Sequence, residues 1–384
     1  MFVIGWGGNQ FTPLLRVYRQ VGGYSQLDVD VFLGAYVFGL IPGLLVAAAL
    51  SDRMGRRPVL LAGLWAALLG TLLLSLGVHG GYPGIVTGRL LSGVAVGVAM
   101  SVGTSWMSEL SVAGGRPGTG ARRSAIWLTL GFALGAASAG LLANYASPAL
   151  TLPYLTHALL CVVAIVAVTG ARTAETRPRT GERPRLRHLR VAAARHPRFL
   201  WVVAPMAPWV FGSAAIAYAI VPQQVEDAVG SGALLFTAGL AVATLGTAVL
   251  VQPLARRLDD HRTSRAIVAS MVLLTLGVAM AALTAATGSP WLAVPVALLL
   301  GVAYGIAVVS GLLEVQRIAG PDELAGLTGT YYALCYLGFL LPAVLAALGH
   351  WLSYPVMLAV AGLVAAACTA LCAAGWSRYL PAAP

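Results

Sequence analysis

The sequence has no lysine and little charge of either sign. Only 10% of its 384 residues are charged, and all 24 basic residues are arginine. A soluble domain carries about 25% charged residues. Hydrophobic residues make up 59% of the chain, and the mean hydropathy is +0.83. This composition excludes a soluble enzyme, a disordered chain and a nucleic-acid-binding domain, and it predicts an integral membrane protein.

Cysteine is scarce, and catalytic signatures are missing from the sequence. Cys161, Cys335, Cys368 and Cys372 all lie inside apolar runs, where a thiol behaves as a small apolar side chain. No histidine accompanies Cys368 and Cys372, so we predict no metal site. The sequence contains no H-E-x-x-H, G-x-S-x-G or G-x-x-x-x-G-K pattern. We therefore expect neither enzymatic activity nor a resident cofactor or metal.

Twelve apolar segments follow one another along the chain, each near the roughly 20 residues that a membrane helix needs. Spans one to twelve are predicted at 2–18, 29–50, 58–78, 83–109, 122–143, 149–170, 198–222, 232–254, 265–287, 290–316, 323–347 and 351–375. Span one is short, because only fifteen residues precede Arg16, which corresponds to about 22 Å of helix. We therefore expect a cytoplasmic leader ahead of it.

The arginines orient these spans. With both termini inside, the cytoplasmic segments and their flanks hold every arginine except Arg16, Arg19 and Arg89, in agreement with the positive-inside rule. The polar stretch 171–197 is a cytoplasmic linker rich in arginine and proline, and it separates six spans at 1–170 from six at 198–384. We predict an all-α protein of twelve transmembrane helices in two bundles, with both termini in the cytoplasm.

Two loops at corresponding positions indicate that the halves arose by duplication. The loop after span two reads Leu50-Ser51-Asp52-Arg53-Met54-Gly55-Arg56-Arg57. The loop after span eight reads Leu254-Ala255-Arg256-Arg257-Leu258-Asp259-Asp260. Both loops are basic and follow a leucine and a small residue, although the second copy is degenerate.

The first loop resembles the signature loop of the major facilitator superfamily, G-x-L-a-D-r-x-G-r-[RK]. The matching residues are Leu50, Asp52, Arg53, Gly55, Arg56 and Arg57, and Ala48 stands where the family usually has glycine. The twelve-span layout extends the resemblance over the whole chain. It implies two six-helix bundles around a cavity lined by spans one, four, seven and ten. It also implies a multi-pass transporter of the plasma membrane that works by alternating access.

Two further motifs bear on the subclass. In span four, Arg89, Gly93 and Gly97 match the family pattern R-x-x-x-G-x-x-x-G. In span five, residues 131–140 resemble the antiporter pattern G-x-x-x-G-P-x-x-G-G, but Ala136 replaces the proline. These glycines are also of the kind that lets membrane helices pack closely. The resemblance therefore favours the drug/proton antiporter type of bacterial efflux protein.

The resemblance also implies a cytoplasmic gate. In the family, the aspartate of the signature loop meets the positive N-terminal end of a helix in the other half. Here that helix end is the start of span eleven, where Pro321-Asp322-Glu323 also offers acids to the arginines of the loop. The predicted gate residues are Asp52, Arg53, Gly55, Arg56, Arg57, Asp322 and Glu323.

Two acid–arginine groups at cytoplasmic helix ends resemble structural ion pairs. Glu109 ends span four where Arg122 and Arg123 open span five, and Glu314 precedes Arg317 at the end of span ten. We expect these pairs to hold helix ends together.

One arginine stands apart from the cytoplasmic clusters. Arg89 lies about 9 Å into span four, where a charge costs a few kcal/mol (about 2.5–3.5) unless it snorkels or finds a partner. It is either an anchor that reaches the outer headgroups or a cavity residue that binds an anion or tunes a carboxylate, and the resemblance to proton-coupled members favours the second role. No acid lies at mid-membrane. The candidate partners in proton coupling are Asp30, Glu226 and Asp227, at the outer ends of spans two and seven.

Polar and aromatic residues inside the spans are candidates for the substrate cavity. The adjacent amides Asn9 and Gln10 must face protein or water. Tyr332 and Tyr336 lie one turn apart on one face of span eleven. The full candidate set is Asn9, Gln10, Tyr36, Trp106, Trp209, Tyr218, Tyr304, Tyr332 and Tyr336.

These residues suit a small, largely apolar or amphipathic solute, neutral or anionic. We predict a secondary active transporter that exports such a solute in exchange for protons. The alternative is a proton symporter or facilitator that imports a small nutrient or metabolite. The expected partners are the solute, protons and membrane lipids, without nucleic acid, and we expect a monomer.

Overall fold

The structure, a computed structural model, describes residues 1–114, 120–170, 192–260, 262–319 and 323–380. In this part of the chain the regular elements are helices, and β structure is limited to the isolated bridge Asp260–Thr263. The prediction of an all-α protein is therefore confirmed. Eleven helices of the described residues are long and apolar enough to cross a membrane. Twelve spans and cytoplasmic termini remain predictions.

The chain divides into two compact units, Met1–Pro184 and Arg185–Pro384. The predicted linker 171–197 falls largely outside the described residues, which resume with a short turn at Ala192–Arg195. Each unit is described by itself below, and the numbering of the predicted spans is kept.

The helices of the first unit follow the predicted spans closely. Span two is Gln26–Met54, and Ser25 caps its N-terminus by accepting a hydrogen bond from the Asp28 backbone amide. Span four contains a π-helical turn between its two α-helical parts. The remaining bounds are Arg56–Ser75 for span three, Gly81–Val98, Ala99–Gly103 and Thr104–Ala113 for span four, Gly120–Tyr145 for span five and Leu152–Gly170 for span six.

The helices of the second unit also match the predicted positions. Span seven has π-helical turns at both ends of its α-helix, and span eleven is interrupted by a 3₁₀ turn. The bounds are Phe199–Gln224 for span seven, Ala233–Leu258 for span eight, Arg265–Thr287 for span nine, Pro290–Ile318 for span ten, Leu324–Leu337 with Leu341–Leu348 for span eleven and Tyr354–Ala374 for span twelve.

Span one is broken near its middle. Helix Phe2–Asn9 is followed by the 3₁₀ turn Thr12–Leu14 and by helix Leu15–Gly22. Pro13 lies in this turn, where its missing N–H leaves one helical hydrogen bond unmade. Each helix has eight residues, or about 12 Å, and is too short to cross a membrane alone. The break explains why eleven continuous helices stand where twelve segments are predicted.

Small residues bring the backbones of neighbouring spans together in the first unit. A Cβ added at Gly93 of span four would overlap the Tyr36 carbonyl oxygen, and one at Gly97 would meet the backbone of Leu40. A Cβ at Gly39 of span two would in turn overlap the backbone of span four. The small-residue stripe of span four therefore packs on span two.

The antiporter-like glycines of span five have a similar packing role. A Cβ at Gly131 would overlap the Phe2 carbonyl oxygen, and one at Gly135 would overlap the Trp6 carbonyl oxygen, both in span one.

The second unit repeats these close approaches at equivalent positions. Gly301 of span ten lies against the backbone of Thr244 in span eight, as span four lies against span two. Gly338 of span eleven lies against the backbone of Pro208 and Gly212 in span seven, as span five lies against span one. The same pairs of spans therefore approach closely in both halves, which supports the duplication inferred from the two loops.

Candidate functional site

Arg89 is buried inside the first unit, with 1% of its surface exposed. Its guanidinium carbon lies 4.5 Å from the ring centroid of Phe11 and 4.8 Å from that of Tyr36. Nε donates to the Phe32 carbonyl at 3.1 Å and Nη2 to the Leu33 carbonyl at 3.5 Å, whereas Nη1 has no hydrogen-bond partner among the described residues. Aromatic faces and carbonyl oxygens therefore stabilise this charge.

The acids proposed to act with Arg89 belong to two other helices. Asp30 is buried, and its Oδ2 accepts a hydrogen bond from Gln26 Nε2 at 2.6 Å. Among the described residues, Arg89 makes no ion pair with Asp30 or any other carboxylate. Glu226 and Asp227 form the first turn of the short helix Glu226–Val229 in the second unit. Coupling between Arg89 and a carboxylate stays a prediction.

The two amides of span one point into the first unit. Asn9 donates to the Phe132 carbonyl at 3.3 Å and accepts from the Thr12 hydroxyl at 2.8 Å. Gln10 Nε2 lies 3.2 Å from Thr71 Oγ1 and 3.2 Å from His157 Nδ1. Both amides are buried, as the sequence requires of polar groups in an apolar span. His157 completes its contacts through Nε2, which lies 3.0 Å from the Val3 carbonyl oxygen.

A chain of contacts connects Gln10 with Arg89. The Thr71 hydroxyl donates to the Tyr154 carbonyl at 3.3 Å, and the Tyr18 hydroxyl donates to that of Tyr154 at 3.1 Å. The ring of Tyr18 lies 5.1 Å from that of Phe11, which in turn stacks on Arg89. The interior of the first unit thus holds one polar and aromatic network that runs through spans one, three, four and six.

In the second unit, two of the predicted cavity residues meet in an aromatic cluster. The rings of Phe211 and Tyr336 stack at 4.2 Å, and Tyr304 lies 5.6 Å from Phe211. Phe339 stacks on Phe211 at 5.2 Å. We call these four residues the aromatic cluster. Tyr336 and Phe211 are buried, whereas Tyr304 and Phe339 are partly exposed.

The remaining predicted cavity residues are described by their burial and by the contacts below. Trp106 and Tyr218 are buried, and Tyr332 packs on Tyr331 with ring centroids 5.4 Å apart. Trp209 lies in an apolar groove of about 380 Å³ between spans seven, eleven and twelve. The aromatics chosen from sequence therefore occur in both units.

The structure describes the predicted gate residues only in part. Asp322 lies outside the described residues, and for Asp52 and Arg53 the backbone alone is described. Gly55 has φ of +90° at the junction of spans two and three, a conformation that favours glycine. The gate itself remains a prediction.

The gate side chains that the structure describes contact groups of their own unit. Arg56 forms an ion pair with Glu109 at 3.1 Å and donates to Ser51. Arg57 donates to the Val168 carbonyl at 3.1 Å. In the second unit, Glu323 accepts hydrogen bonds from the backbone amides of Ala192 and Ala193.

A buried ion pair of the second unit involves Arg198, the first residue of the predicted span seven. Arg198 donates two hydrogen bonds of 2.8 Å, from Nε and Nη2, to the carboxylate of Glu314. The two side chains are 1% and 2% exposed. The expected partner Arg317 also contacts Glu314, at 3.3 Å, and pairs with Asp259. Arg198 directly precedes the first apolar residue of span seven, which is the one sequence signal of its burial.

The degenerate second loop also folds on itself. The Arg262 backbone amide donates to Asp260 at 3.0 Å, and the Thr263 hydroxyl donates at 2.9 Å. These two hydrogen bonds lower the pKa of the Asp260 carboxyl below its usual value.

Sequence reasoning missed His157, Phe211 and Phe339. His157 is the only one of the six histidines inside a predicted span, and this position was the available signal. Phe211 lies two residues from Trp209, on another face of the same helix. Hydropathy does not indicate which of these two faces holds the aromatic cluster.

Comparison with known sequences decides the family. Residues 1–342 match the Major Facilitator Superfamily. The chain belongs to this superfamily. Membership confirms the predicted transporter class and the multi-pass position in the cell membrane. The efflux subtype remains a prediction.

Solved structures of other superfamily transporters share the fold. A D-xylose–proton symporter superposes with a TM-score of 0.72 over 99% of this chain and 95% of that chain, at 14% identity. A nucleoside transporter superposes with a TM-score of 0.75 over 97% of this chain and 98% of that chain, at 11% identity. Identities this low show the common fold alone.

A curated transporter matches part of the sequence. A 3-(3-hydroxyphenyl)propionate transporter of Escherichia coli is 32% identical over 81 residues, which is 21% of this chain and 20% of that protein. The chain thus aligns with about a fifth of the length of this relative.

Proposed function

We propose that this superfamily member is a proton-coupled secondary transporter of a small amphipathic solute that carries an aromatic ring and an acidic group. The observation that carries this proposal is the aromatic cluster of the second unit, where the partly exposed rings of Tyr304 and Phe339 flank a buried stack. An aromatic contact of this kind contributes about 0.5–1.5 kcal/mol beyond the burial of area. A solute ring that packs on Tyr304 or Phe339 would gain this free energy without contacting a charged group.

The name of the curated relative supports the acidic group of the solute. The solute named for the relative, 3-(3-hydroxyphenyl)propionate, combines an aromatic ring with a carboxylate and is therefore the first compound to test.

Each direction of transport has one supporting observation. The partial antiporter pattern at Gly131, Gly135 and Gly140 supports export, although the contacts of Gly131 and Gly135 with span one also account for those two glycines. The resemblance in fold to a D-xylose–proton symporter supports the second candidate, uptake by proton symport.

Transport by purified protein in liposomes tests the function and its direction together. We expect 3-(3-hydroxyphenyl)propionate to move against its gradient when a pH gradient is imposed, and xylose and uridine to move far less. Protein-free liposomes correct for passive entry of the protonated acid. Movement with the protons indicates symport, and movement against them indicates antiport. A preference for the sugar, or transport that ignores the pH gradient, contradicts the proposal.

One substitution tests the aromatic cluster. We expect Tyr304→Ala to raise KM for the aromatic acid about two- to tenfold, because it removes about 0.5–1.5 kcal/mol of ring contact. Trp291→Leu is the matched control, since Trp291 is 85% exposed at the start of span ten. Equal KM values for the two variants would contradict a role of the aromatic cluster in binding.

A further inference from the structure

The hydrogen bonds of His157 define one protonation state. Its Nδ1 lies 3.2 Å from the Gln10 amide nitrogen, and its Nε2 lies 3.0 Å from the Val3 carbonyl oxygen. An amide nitrogen only donates and a carbonyl oxygen only accepts. Nδ1 is therefore unprotonated and Nε2 carries the hydrogen, so the imidazole is neutral in this arrangement.

We propose that His157 and Gln10 form a proton-binding site at the break in span one. A hydronium ion transfers its proton to the Nδ1 lone pair, so that one O–H bond breaks, one N–H bond forms and a water molecule is released. The Gln10 side-chain amide rotates by half a turn so that Oε1 accepts the new N–H. The site deepens the proposed function, because it rests on proton coupling and names a group that binds the proton.

The unused atom of Gln10 makes this rotation possible. Gln10 is 1% exposed, and its Oε1 is buried without a hydrogen-bond partner among the described residues. After rotation, Oε1 takes the place of Nε2, near both Nδ1 and Thr71 Oγ1. The Thr71 hydroxyl, which donates to the Tyr154 carbonyl in the structure, would turn its single hydrogen to Oε1. The Tyr154 carbonyl lies inside the helix Leu152–Gly170 and keeps its helical hydrogen bond. One amide atom is unpartnered in either orientation. The protonated arrangement therefore adds no further unsatisfied polar atom.

Among the described residues, the groups in contact with the imidazole include no carboxylate that could bind the proton instead. The Cys161 thiol lies 3.4 Å from Nε2 on the same span, and span three offers Thr71 through Gln10. The phenols of Tyr154 and Tyr18 hydrogen-bond to each other farther along this network, and they interact electrostatically with Arg89. No ion pair to His157 is present among the described residues.

Span one would respond to the proton along its length. Three of its residues contact His157 from one helix face. The Val3 carbonyl accepts a hydrogen bond from Nε2, and the Gln10 amide donates one to Nδ1. A Cβ added at Gly7 would overlap the imidazole ring. Gln10 is the C-cap residue of helix Phe2–Asn9. A change in the orientation of Gln10 therefore acts at the point where span one is broken.

Nitrogen NMR tests the site without requiring a known solute. Protein labelled with ¹⁵N-histidine is placed in nanodiscs of phosphatidylethanolamine and phosphatidylglycerol, and the His157 signal is assigned by its loss in His157→Gln. We expect the Nε2–H tautomer at high pH and protonation of both nitrogens on acidification. Gln10→Leu should reduce the protonated fraction at least threefold at the same pH. An Nδ1–H tautomer, or a neutral ring down to pH 4, would overturn the proposal.

Transport measurements test the role of the proton. With 3-(3-hydroxyphenyl)propionate as the probe, we expect His157→Gln to reduce accumulation driven by a pH gradient at least tenfold while solute exchange stays within about twofold. His350→Gln, at an exposed loop position, should match the wild type. Wild-type accumulation in His157→Gln would overturn the site while the proposed function stands. If the wild-type protein itself ignores the gradient, the proposed function fails and the NMR result alone decides the site.

Discussion

At the scale of single residues, charges inside this protein are stabilised by neighbouring groups instead of water. Arg198 is bound by the carboxylate of Glu314, whereas Arg89 lies between two rings and two carbonyl oxygens. Removing one member of a buried ion pair leaves the other charge uncompensated. Water also hydrates the pair Arg56–Glu109, whose side chains are 21% and 31% exposed. Removing one member of this pair should therefore lower the free energy of unfolding less.

Neutralising one carboxylate in each pair measures this difference. We expect Glu314→Gln to lower the free energy of unfolding by about 3–5 kcal/mol and Glu109→Gln to lower it by at most about 1 kcal/mol. Thermal unfolding followed by a thiol-reactive dye provides the measurement, since Cys161 is buried in the first unit and Cys372 in the second. Equal unfolding temperatures of the two variants would show that burial of the Arg198–Glu314 pair contributes nothing.

At the scale of elements, the spans approach one another where side chains are small. Without a hydrophobic force between helices in lipid, close packing supplies much of the association. The stripe with Gly93 and Gly97 lies against span two, and its counterpart with Gly301 and Gly305 lies against span eight. The glycines that resemble family motifs therefore have a packing function that is visible within each unit.

A single methyl group tests this packing. We expect Gly93→Ala to destabilise the first unit by about 1–3 kcal/mol, because the new Cβ would overlap the Tyr36 carbonyl oxygen. Gly84→Ala in the same span is the control, since no atom lies within 4 Å of its added Cβ. That variant should be neutral or stabilising by about 0.4–1 kcal/mol. Thermal unfolding reported by the buried Cys161 would reveal the contrast, and similar unfolding of both variants would contradict it.

At the scale of the whole molecule, the chain consists of two units that repeat one packing scheme. The contact of span two with span four corresponds to that of span eight with span ten. The contact of span one with span five corresponds to that of span seven with span eleven. This correspondence agrees with the repeated basic loop and with a family whose halves arose by duplication. It supports an even number of spans, in which span one crosses the membrane in spite of its break.

Reporter fusions test the predicted topology. We expect alkaline phosphatase to be inactive when fused after residue 380 and active when fused at residue 350, in the loop between spans eleven and twelve. The reason is that the enzyme folds only outside the cytoplasm, whereas the arginine distribution places the C-terminus inside. An active phosphatase at the C-terminus would contradict the orientation derived from the arginines.

Much of the architecture could be predicted from the sequence, while the candidate site could be predicted only in part. Span nine, predicted at 265–287, begins and ends at those residues in the structure. Tyr304 and Tyr336 were identified as cavity candidates and meet in the aromatic cluster. Their partner Phe211 was not identified, because a phenylalanine in an apolar helix has no distinguishing pattern.

The sequence by itself determined the class of protein, the positions of the helices and the family. The reason is that length, hydropathy and the spacing of a short motif are properties of the chain read in order. Tertiary structure alone decided which side chains meet. Gln10 and His157 are 147 positions apart, and Arg198 and Glu314 are 116 positions apart. Their contacts depend on the rotation of each helix about its axis, which close packing of glycines and aromatic rings sets and hydropathy does not encode.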